Sequence, residues 1–181
     1  MKLLIFGASG SGTTTLSKEV SLKTGFKNLD VDDYYWKHTS PPYQEKVPLE
    51  IRNRNLTKDF KALDNVIVCG SMVSWGTYWS TAFDLVVFIY LDPEIRITRL
   101  QQREVKRYGN KLVRDKEIQQ NSKAFIDWAK KYDDPDFMGR SLKVHKDWIA
   151  PLKCPVLHLD GALGLAEKTA LVYSEIQNRI L

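Results

Sequence analysis

Residues 7–16 have the sequence GASGSGTTTL and follow directly on the apolar run KLLIF of residues 2–6. Gly7 and Gly12 have the spacing of the phosphate-binding loop G-x-x-x-x-G-K-[ST], and Thr14 fills its last position. Thr13 stands where that loop has its lysine. A strand, a glycine turn and a helix in this order direct backbone N–H groups and a helix N-terminus at an anion. The stretch therefore predicts a phosphate site that lacks its usual cation.

Two other interpretations of this glycine turn stay open. Gly7, Gly10 and Gly12 are also similar to the dinucleotide turn of short-chain reductases, although Thr13 replaces that family's third glycine and the chain has no Tyr-x-x-x-Lys pair. A turn without any ligand is the other interpretation. Three consecutive threonines are a poor start for a helix, so we attribute their presence to their hydroxyls. This favours the phosphate site, with Thr14 as a magnesium ligand.

Composition limits the class of protein. A chain of 181 residues, 43% hydrophobic and 27% charged, suits one soluble domain with a sizeable core. The net charge of +5 suits an anionic ligand, and the spread of the basic residues along the chain argues against a nucleic-acid partner. Cys69 and Cys154 lack metal or redox spacing, and no apolar run is long enough to span a membrane. We expect a cytoplasmic protein that is monomeric or weakly dimeric.

Apolar runs alternate with helical patterns along the chain. Strands are expected at 2–8, 26–32, 65–71, 84–91 and 154–160, and helices at 13–23, 48–63, 92–107 and 165–180. Runs that are apolar on both faces are typical of buried parallel strands. The pattern predicts a single α/β domain over 1–181, a three-layer sandwich around a five-stranded parallel sheet. We expect an acceptor-side flap at about 34–63 and a small helical lid at about 108–140.

The order of these motifs makes the chain similar to the small P-loop kinases of the adenylate kinase and shikimate kinase type. The resemblance rests on GASGSGTTTL, LDVDD, GS after the third strand, the arginine-rich helix, DDPDFMGR and the final LDG. It covers nearly the whole chain, and its main departure is Thr13. It implies ATP and Mg²⁺ as cofactors and transfer of the γ-phosphoryl group to a small acceptor, most readily a nucleoside monophosphate. A non-catalytic nucleotide-binding regulator is the alternative, and a reductase-like dinucleotide-binding protein is the third.

The resemblance also assigns contacts with the nucleotide. The expected contacts are Gly7, Ser9, Gly10, Ser11, Gly12, Thr13, Thr14, Thr15 and, after the last strand, Gly161.

Acidic residues follow the second expected strand. Asp30 and Asp32 lie at the carboxyl edge of the sheet, the edge that holds the ligand crevice, and strand alternation sends Asp33 to the other side. Carboxylates beside a triphosphate repel it unless a cation lies between them. We therefore expect Asp30 to hold magnesium through water and to orient or deprotonate the acceptor, and Asp32 to contact the acceptor. An aspartate-rich turn without a function is the alternative.

Arginines are the candidates for the missing positive charge. Arg96, Arg99, Arg103 and Arg107 share one face of the helix after the fourth strand, because they recur three or four residues apart. A solvated basic face would explain this pattern. The resemblance instead implies that Arg103 acts in catalysis and that Arg99 and Arg107 bind the nucleotide through planar, bidentate donors.

A lid arginine is the preferred substitute for the loop lysine. The resemblance places Arg140 at the end of the lid, from which it would reach the phosphates on closure. Lys111 and Arg114 are alternatives in the same segment. A surface ion pair between Arg140 and the acids at 133–134 is the other explanation.

The acceptor side is expected after the third strand. Gly70 would let the backbone approach an acceptor closely, and Ser71 and Trp75 would shape its pocket. The resemblance implies that Arg52 holds a phosphate or carboxylate of the acceptor, with a solvated helix face as the alternative. Aromatic residues within 34–43 are expected either to stack on a ring of the acceptor or to pack the flap onto the domain.

Overall fold

Five parallel strands form one sheet in the computed structural model, which describes residues 1–40 and 42–180. The strands are β1 (Lys2–Gly7), β2 (Lys27–Asp30), β3 (Val66–Cys69), β4 (Leu85–Tyr90) and β5 (Val156–Asp160). Their order is β2-β3-β1-β4-β5, and every neighbouring pair is parallel. The strands β1, β3 and β4 are almost wholly buried because they are apolar on both faces. The carboxyl end of β1 therefore lies in the middle of one sheet edge.

Helices cover both faces of the sheet. They are α1 (Thr13–Thr24), α2 (Val31–Tyr35), α3 (Leu49–Lys61), α4 (Pro93–Tyr108), α5 (Lys111–Arg114), α6 (Lys116–Lys130), α7 (Leu142–Ile149) and α8 (Leu165–Ile180). Short 3₁₀ helices lie at Thr77–Ser80 and Lys131–Asp133. Among the residues that the structure describes, every helix is too short or too polar to cross a membrane.

Side-chain alternation along β1 divides the core in two. Leu3 and Ile5 pack with Leu16 of α1 and Val172 of α8 on one face of the sheet. Leu4 and Phe6 point to the opposite face, where buried residues of α3 complete a second apolar cluster. The predicted three-layer α/β sandwich is confirmed.

Most of the expected helices and strands are confirmed, but the second strand is shorter than predicted. β2 ends at Asp30, whose carboxylate accepts a hydrogen bond from the N–H of Asp32 at 3.1 Å and so caps α2. The prediction of a strand over 26–32 is therefore wrong beyond Asp30. Asp32 and Asp33 lie in a helix, and the alternation argument that separated their side chains does not apply.

The carboxyl-terminal third contains one helix that the sequence pattern did not predict. α7 follows Ser141, whose hydroxyl accepts from the N–H of Val144 at 3.3 Å and caps the helix. The polar segment 108–140 is mostly helical, as expected of a small lid. α6 packs against α4 through Ile126 and Ala129, which surround the buried Leu100.

Candidate active site

The glycine-rich loop connects β1 to α1 at the centre of the sheet edge. Gly10 has a φ of +88°, and a Cβ there would lie 2.9 Å from the carbonyl oxygen of Arg96. A Cβ on Gly7 would collide with the carbonyl oxygen of Ile89. The loop therefore packs too closely on β4 and α4 for side chains at these two positions.

The start of α1 is open to an anion. Within the described residues, no acidic side chain lies in its first turn and no side chain caps its N-terminus. The hydroxyl oxygen of Ser11 is buried in the loop without a hydrogen-bond partner among these residues. Thr13 and Thr15 lie in the same first turn, Thr13 half-buried and Thr15 exposed. This loop presents N–H donors and a positive helix end, the groups that bind phosphate.

Arg140 lies against the loop, although 131 residues separate it from its loop partner in the sequence. Its Nη2 donates to the hydroxyl oxygen of Ser9 at 3.3 Å, and its guanidinium lies 5.0 Å from the ring centroid of Trp128. Burial lowers the pKa of this guanidinium, and the charge of Asp32 opposes that shift. The structure thus brings a lid arginine to the loop in which Thr13 replaces lysine.

The acids at 133–134 do not explain the position of Arg140. Asp133 pairs with Arg96 instead, with 2.8 Å between Nη2 and Oδ2. Arg96 is completely buried and also donates to the carbonyl oxygen of Ala129 at 2.9 Å. Arg96 therefore attaches the end of the lid to α4 and differs from the exposed arginines further along that helix.

A hydroxyl and a carboxylate meet beside the loop. Thr14 Oγ1 donates to Asp30 Oδ2 at 3.4 Å, and the thiol of Cys69 lies 3.8 Å from the same hydroxyl. Burial and the neighbouring acids Asp32 and Asp33 raise the pKa of Asp30. The described residues contain no group of three or more His, Cys, Asp or Glu side chains that could hold a metal. The pair fits Mg²⁺, which needs few protein ligands when phosphates supply the others.

Asp32 has two positively charged neighbours, Arg140 and Arg103 of α4. Desolvation raises its pKa, while the charges of Arg140 and Arg103 act in the opposite direction. The guanidinium of Arg103 lies 5.7 Å from the ring centroid of Phe125 in α6. One positive neighbour of this carboxylate therefore lies in α4, and the other lies in the segment that precedes α7.

The other two arginines of α4 have neighbours outside the glycine-rich loop. Arg107 pairs with Glu104 at 3.0 Å and lies over the ring of Tyr43 at 4.8 Å, so it joins the helix to the flap. Arg99 is exposed, and its charge together with burial lowers the pKa of Lys168. Contact of Arg99 and Arg107 with a nucleotide stays a prediction.

The turn after β5 is closed by a lysine. Lys168 is buried, and its Nζ donates to the carbonyl oxygen of Gly161 at 2.9 Å and to that of Leu163. The N–H of Gly161 donates to the carbonyl oxygen of Tyr90 at 2.6 Å. Gly161 therefore joins β4 to β5 at the same sheet edge as the loop, and its contact with the nucleotide base stays a prediction.

Arg52 is a buried cation on the acceptor side. It is 7% exposed and packs against the rings of Tyr35 and Trp75, at 4.1 and 4.9 Å from their centroids. Its Nη2 donates to the carbonyl oxygen of Ser74 at 3.3 Å, and its Nε is buried without a partner among the described residues. No carboxylate within the described residues pairs with it by the distances of an ion pair.

The other expected acceptor residues lie deeper than the sequence suggested. A Cβ on Gly70 would collide with the side chain of Val31, so this glycine allows β3 and α2 to pack closely. Trp75 is 2% exposed, and its ring centroid lies 4.9 Å from the guanidinium of Arg52. Ser71 is 6% exposed and its hydroxyl lies 2.9 Å from Nε2 of His145. Direct contact of these residues with an acceptor stays a prediction.

Sequence reasoning missed His145 and Tyr132. Nδ1 of His145 lies 2.7 Å from the phenolic oxygen of Tyr132, and both side chains are buried. The sequence carries no motif for this pair because the two residues come from separate helical turns. A helix prediction over 142–149 would have been the only available signal.

Comparisons with known proteins identify the family to which the chain belongs. The AAA domain family matches residues 3–121, which include the glycine-rich loop, Asp30, Asp32 and the whole of α4. The chain belongs to the AAA domain family. Uncharacterized protein YqaC of Bacillus subtilis is 36% identical over 164 residues, which cover 91% of this chain and 90% of the relative.

Kinases are among the other relatives of this AAA domain. Cytidylate kinase of Archaeoglobus fulgidus is 33% identical over 117 residues, 59% of this chain and 63% of the relative. Shikimate kinase of Bacteroides thetaiotaomicron superposes with a TM-score of 0.60 at 16% identity and covers 98% of both chains. The predicted resemblance to small P-loop kinases is confirmed, and the AAA domain has a kinase-like P-loop fold.

Proposed function

We propose that this AAA domain is a phosphotransferase that moves the γ-phosphoryl group of Mg²⁺-ATP to a small anionic acceptor, most readily a nucleoside monophosphate. The observation that carries the proposal is the contact of Arg140 with Ser9, because it supplies the loop with a cation where Thr13 does not. Phosphoryl transfer depends chiefly on positioning and neutralisation of charge, so the source of the positive group can differ between enzymes.

Each group at the cleft has a role in this proposal. The N–H groups of the loop and the first turn of α1 bind the β- and γ-phosphates, and Arg140 neutralises them. Thr14 and Asp30 would hold Mg²⁺, which would offset the negative charge that develops on the leaving phosphate. The acceptor oxygen forms a bond to the γ-phosphorus as the bond to the β–γ bridging oxygen breaks, and ADP leaves.

Arg52 supports an anionic acceptor. A buried arginine without a carboxylate partner is costly, and a phosphate or carboxylate would supply the missing charge-assisted hydrogen bonds. The rings of Tyr35 and Trp75 both pack against its guanidinium, so the donors are oriented before an acceptor arrives. The cytidylate kinase relative is named for a nucleoside monophosphate acceptor, which agrees with this choice.

The test is ADP formation from Mg²⁺-ATP with a panel of nucleoside monophosphates, small carboxylates and small alcohols. We expect turnover that depends on an anionic acceptor, that requires Mg²⁺ and that is lost in Asp30→Asn. Arg52→Met should raise the KM for the acceptor and leave the KM for ATP unchanged. Tight ATP binding without turnover would support the non-catalytic regulator instead, and failure to bind ATP would refute the nucleotide site.

A further inference from the structure

The ring of His145 is a completely buried polar group with two partners. It is 0% exposed and meets Phe6 and Phe88 edge-on, with ring centroids 5.0 and 5.9 Å away. Nε2 lies 2.9 Å from the hydroxyl oxygen of Ser71, and Nδ1 lies 2.7 Å from that of Tyr132. A neutral imidazole has one N–H donor and one acceptor, so two rotatable hydroxyls satisfy it in either tautomer.

These two hydrogen bonds join three parts of the molecule. Ser71 follows the end of β3, Tyr132 lies in the 3₁₀ helix Lys131–Asp133, and His145 belongs to the first turn of α7. The segment between the last two, residues 134–141, is the Arg140 loop. The bond between Tyr132 and His145 closes the base of this loop, and the bond to Ser71 anchors the base to the sheet.

Further contacts hold both ends of the Arg140 loop. At its start, Arg96 lies 4.9 Å from the ring centroid of Tyr132 and pairs with Asp133. At its end, Ser141 is 1% exposed and caps α7. The guanidinium of Arg140 is therefore presented from a loop whose two ends are fixed. Two hydrogen bonds of His145 join Tyr132, which precedes that loop, to Ser71, which follows β3.

We infer that His145 is a positioning residue for Arg140, because it closes the base of the Arg140 loop and fixes that base to the end of β3. The inference rests on the proposed function for the role of Arg140 at the phosphates. His145 itself does not touch the reacting atoms. An apolar residue could fill the space between Phe6 and Phe88 without the cost of burying two ring nitrogens, so the two bonds account for the histidine.

The charge state of His145 suits this role. Burial and the positive charge of Arg140 lower its pKa to about 3. The ring is therefore neutral throughout the physiological range of pH and keeps one donor and one acceptor. We therefore expect the link between β3 and the Arg140 loop to persist on acidification to pH 5.

The first test needs no ligand. Hydrogen exchange of the free protein is followed by mass spectrometry in wild type, Tyr132→Phe and Ser21→Ala. Tyr132→Phe removes one hydroxyl and keeps the ring beneath Arg96. We expect about five-fold faster exchange in residues 134–141, the effect of losing one ordinary hydrogen bond, and unchanged exchange in α1. Ser21→Ala is the matched control, since it removes a 2.7 Å hydroxyl bond to the carbonyl of Phe26 at the far end of α1. It should leave 134–141 unchanged.

The second test asks whether the effect passes through Arg140. Binding of Mg²⁺-ATP is measured by calorimetry in wild type, Tyr132→Phe, Arg140→Ala and the double variant. We expect Tyr132→Phe to weaken binding about five-fold when Arg140 is present and to have no further effect in Arg140→Ala.

The outcomes separate this inference from the proposed function. Unchanged exchange of 134–141 in Tyr132→Phe, or equal weakening of ATP binding in both backgrounds, overturns the role of His145. If wild type does not bind Mg²⁺-ATP, the proposed function fails, and the exchange measurement still decides whether His145 positions the loop.

Discussion

Replacement of Arg140 by alanine, followed by restoration of a lysine at position 13, tests the exchange of cations directly. Arg140 is the arginine whose guanidinium contacts the glycine-rich loop, at 3.3 Å from Ser9. Removal of one pre-organised donor from a transition state typically costs about a hundred- to thousand-fold in rate, or about 2.7–4 kcal/mol. We therefore expect Arg140→Ala to lower kcat by about that factor, with a smaller effect on the KM for the acceptor.

Thr13→Lys should then recover part of the loss. Position 13 is the first residue of α1 and is half-buried beside the loop, so a lysine there would point its ammonium at the same phosphates. We expect the double variant to be at least about ten-fold faster than Arg140→Ala, because one charge-assisted contact is regained. In the wild-type background the same change should give little gain, since Arg140 already supplies the charge.

The assay is ADP formation at saturating acceptor, with Arg114→Ala as the control for loss of a lid cation. Arg114 is exposed and lies in α5 rather than on the Arg140 loop. If Arg140→Ala and Arg114→Ala lower kcat equally, Arg140 is not the cation that substitutes for the loop lysine. A Thr13→Lys variant that fails to improve Arg140→Ala although it binds Mg²⁺-ATP would refute the same assignment.

Three further predictions concern stability and pH. Burial raises the pKa of Asp30 above its ordinary 3.8, so ionisation of Asp30 opposes folding. Asp30→Asn should therefore raise the free energy of unfolding at pH 7, and this gain should disappear below pH 4. Urea titrations at several pH values measure the difference. A stability difference that is constant with pH would contradict this. Asp133→Ala leaves the buried Arg96 unpaired and should lower the free energy of unfolding in urea by about 3–5 kcal/mol. The double variant Arg96→Met with Asp133→Ala should recover much of this loss. If the single and double variants lose the same stability, the two residues do not form a buried ion pair. Arg52→Met should leave the free energy of unfolding unchanged or raise it, because it removes a buried charge without a carboxylate partner. Calorimetric unfolding measures this, and a lower stability of the variant would mean that Arg52 has a structural role.

The sequence was sufficient to predict the fold because its signals are local. Apolar runs on both faces marked the central strands, and the glycine spacing marked the loop between β1 and α1. The apolar pattern overestimates the length of β2, because Asp30 ends the strand by capping α2. A helix cap and a continuing strand differ in backbone geometry, which the sequence does not show. α7 was missed since its eight residues are short for a periodic pattern.

The site was less predictable than the fold because its contacts join distant residues. Asp30 and Thr14 followed from the topology, since both lie at the carboxyl edge of the sheet. The arginine stripe on α4 suggested one shared role, whereas Arg96 is buried against Asp133 and its neighbours along the stripe are exposed. The pairing of His145 with Ser71 and Tyr132 depends on three-dimensional packing and has no spacing of its own.

The position of Arg140 along the chain has a consequence for how the protein is made. Arg140 lies 131 residues after Ser9 in the chain, so the glycine-rich loop and α4 are synthesised before the arginine that contacts the loop. A ribosome-bound chain that has exposed only residues 1–121 would lack Arg140 and also β5 and α8, which pack against β4 and α1. If Arg140 neutralises the phosphates as proposed, ATP stabilises the chain fully only after residue 140 has been synthesised and has reached the loop.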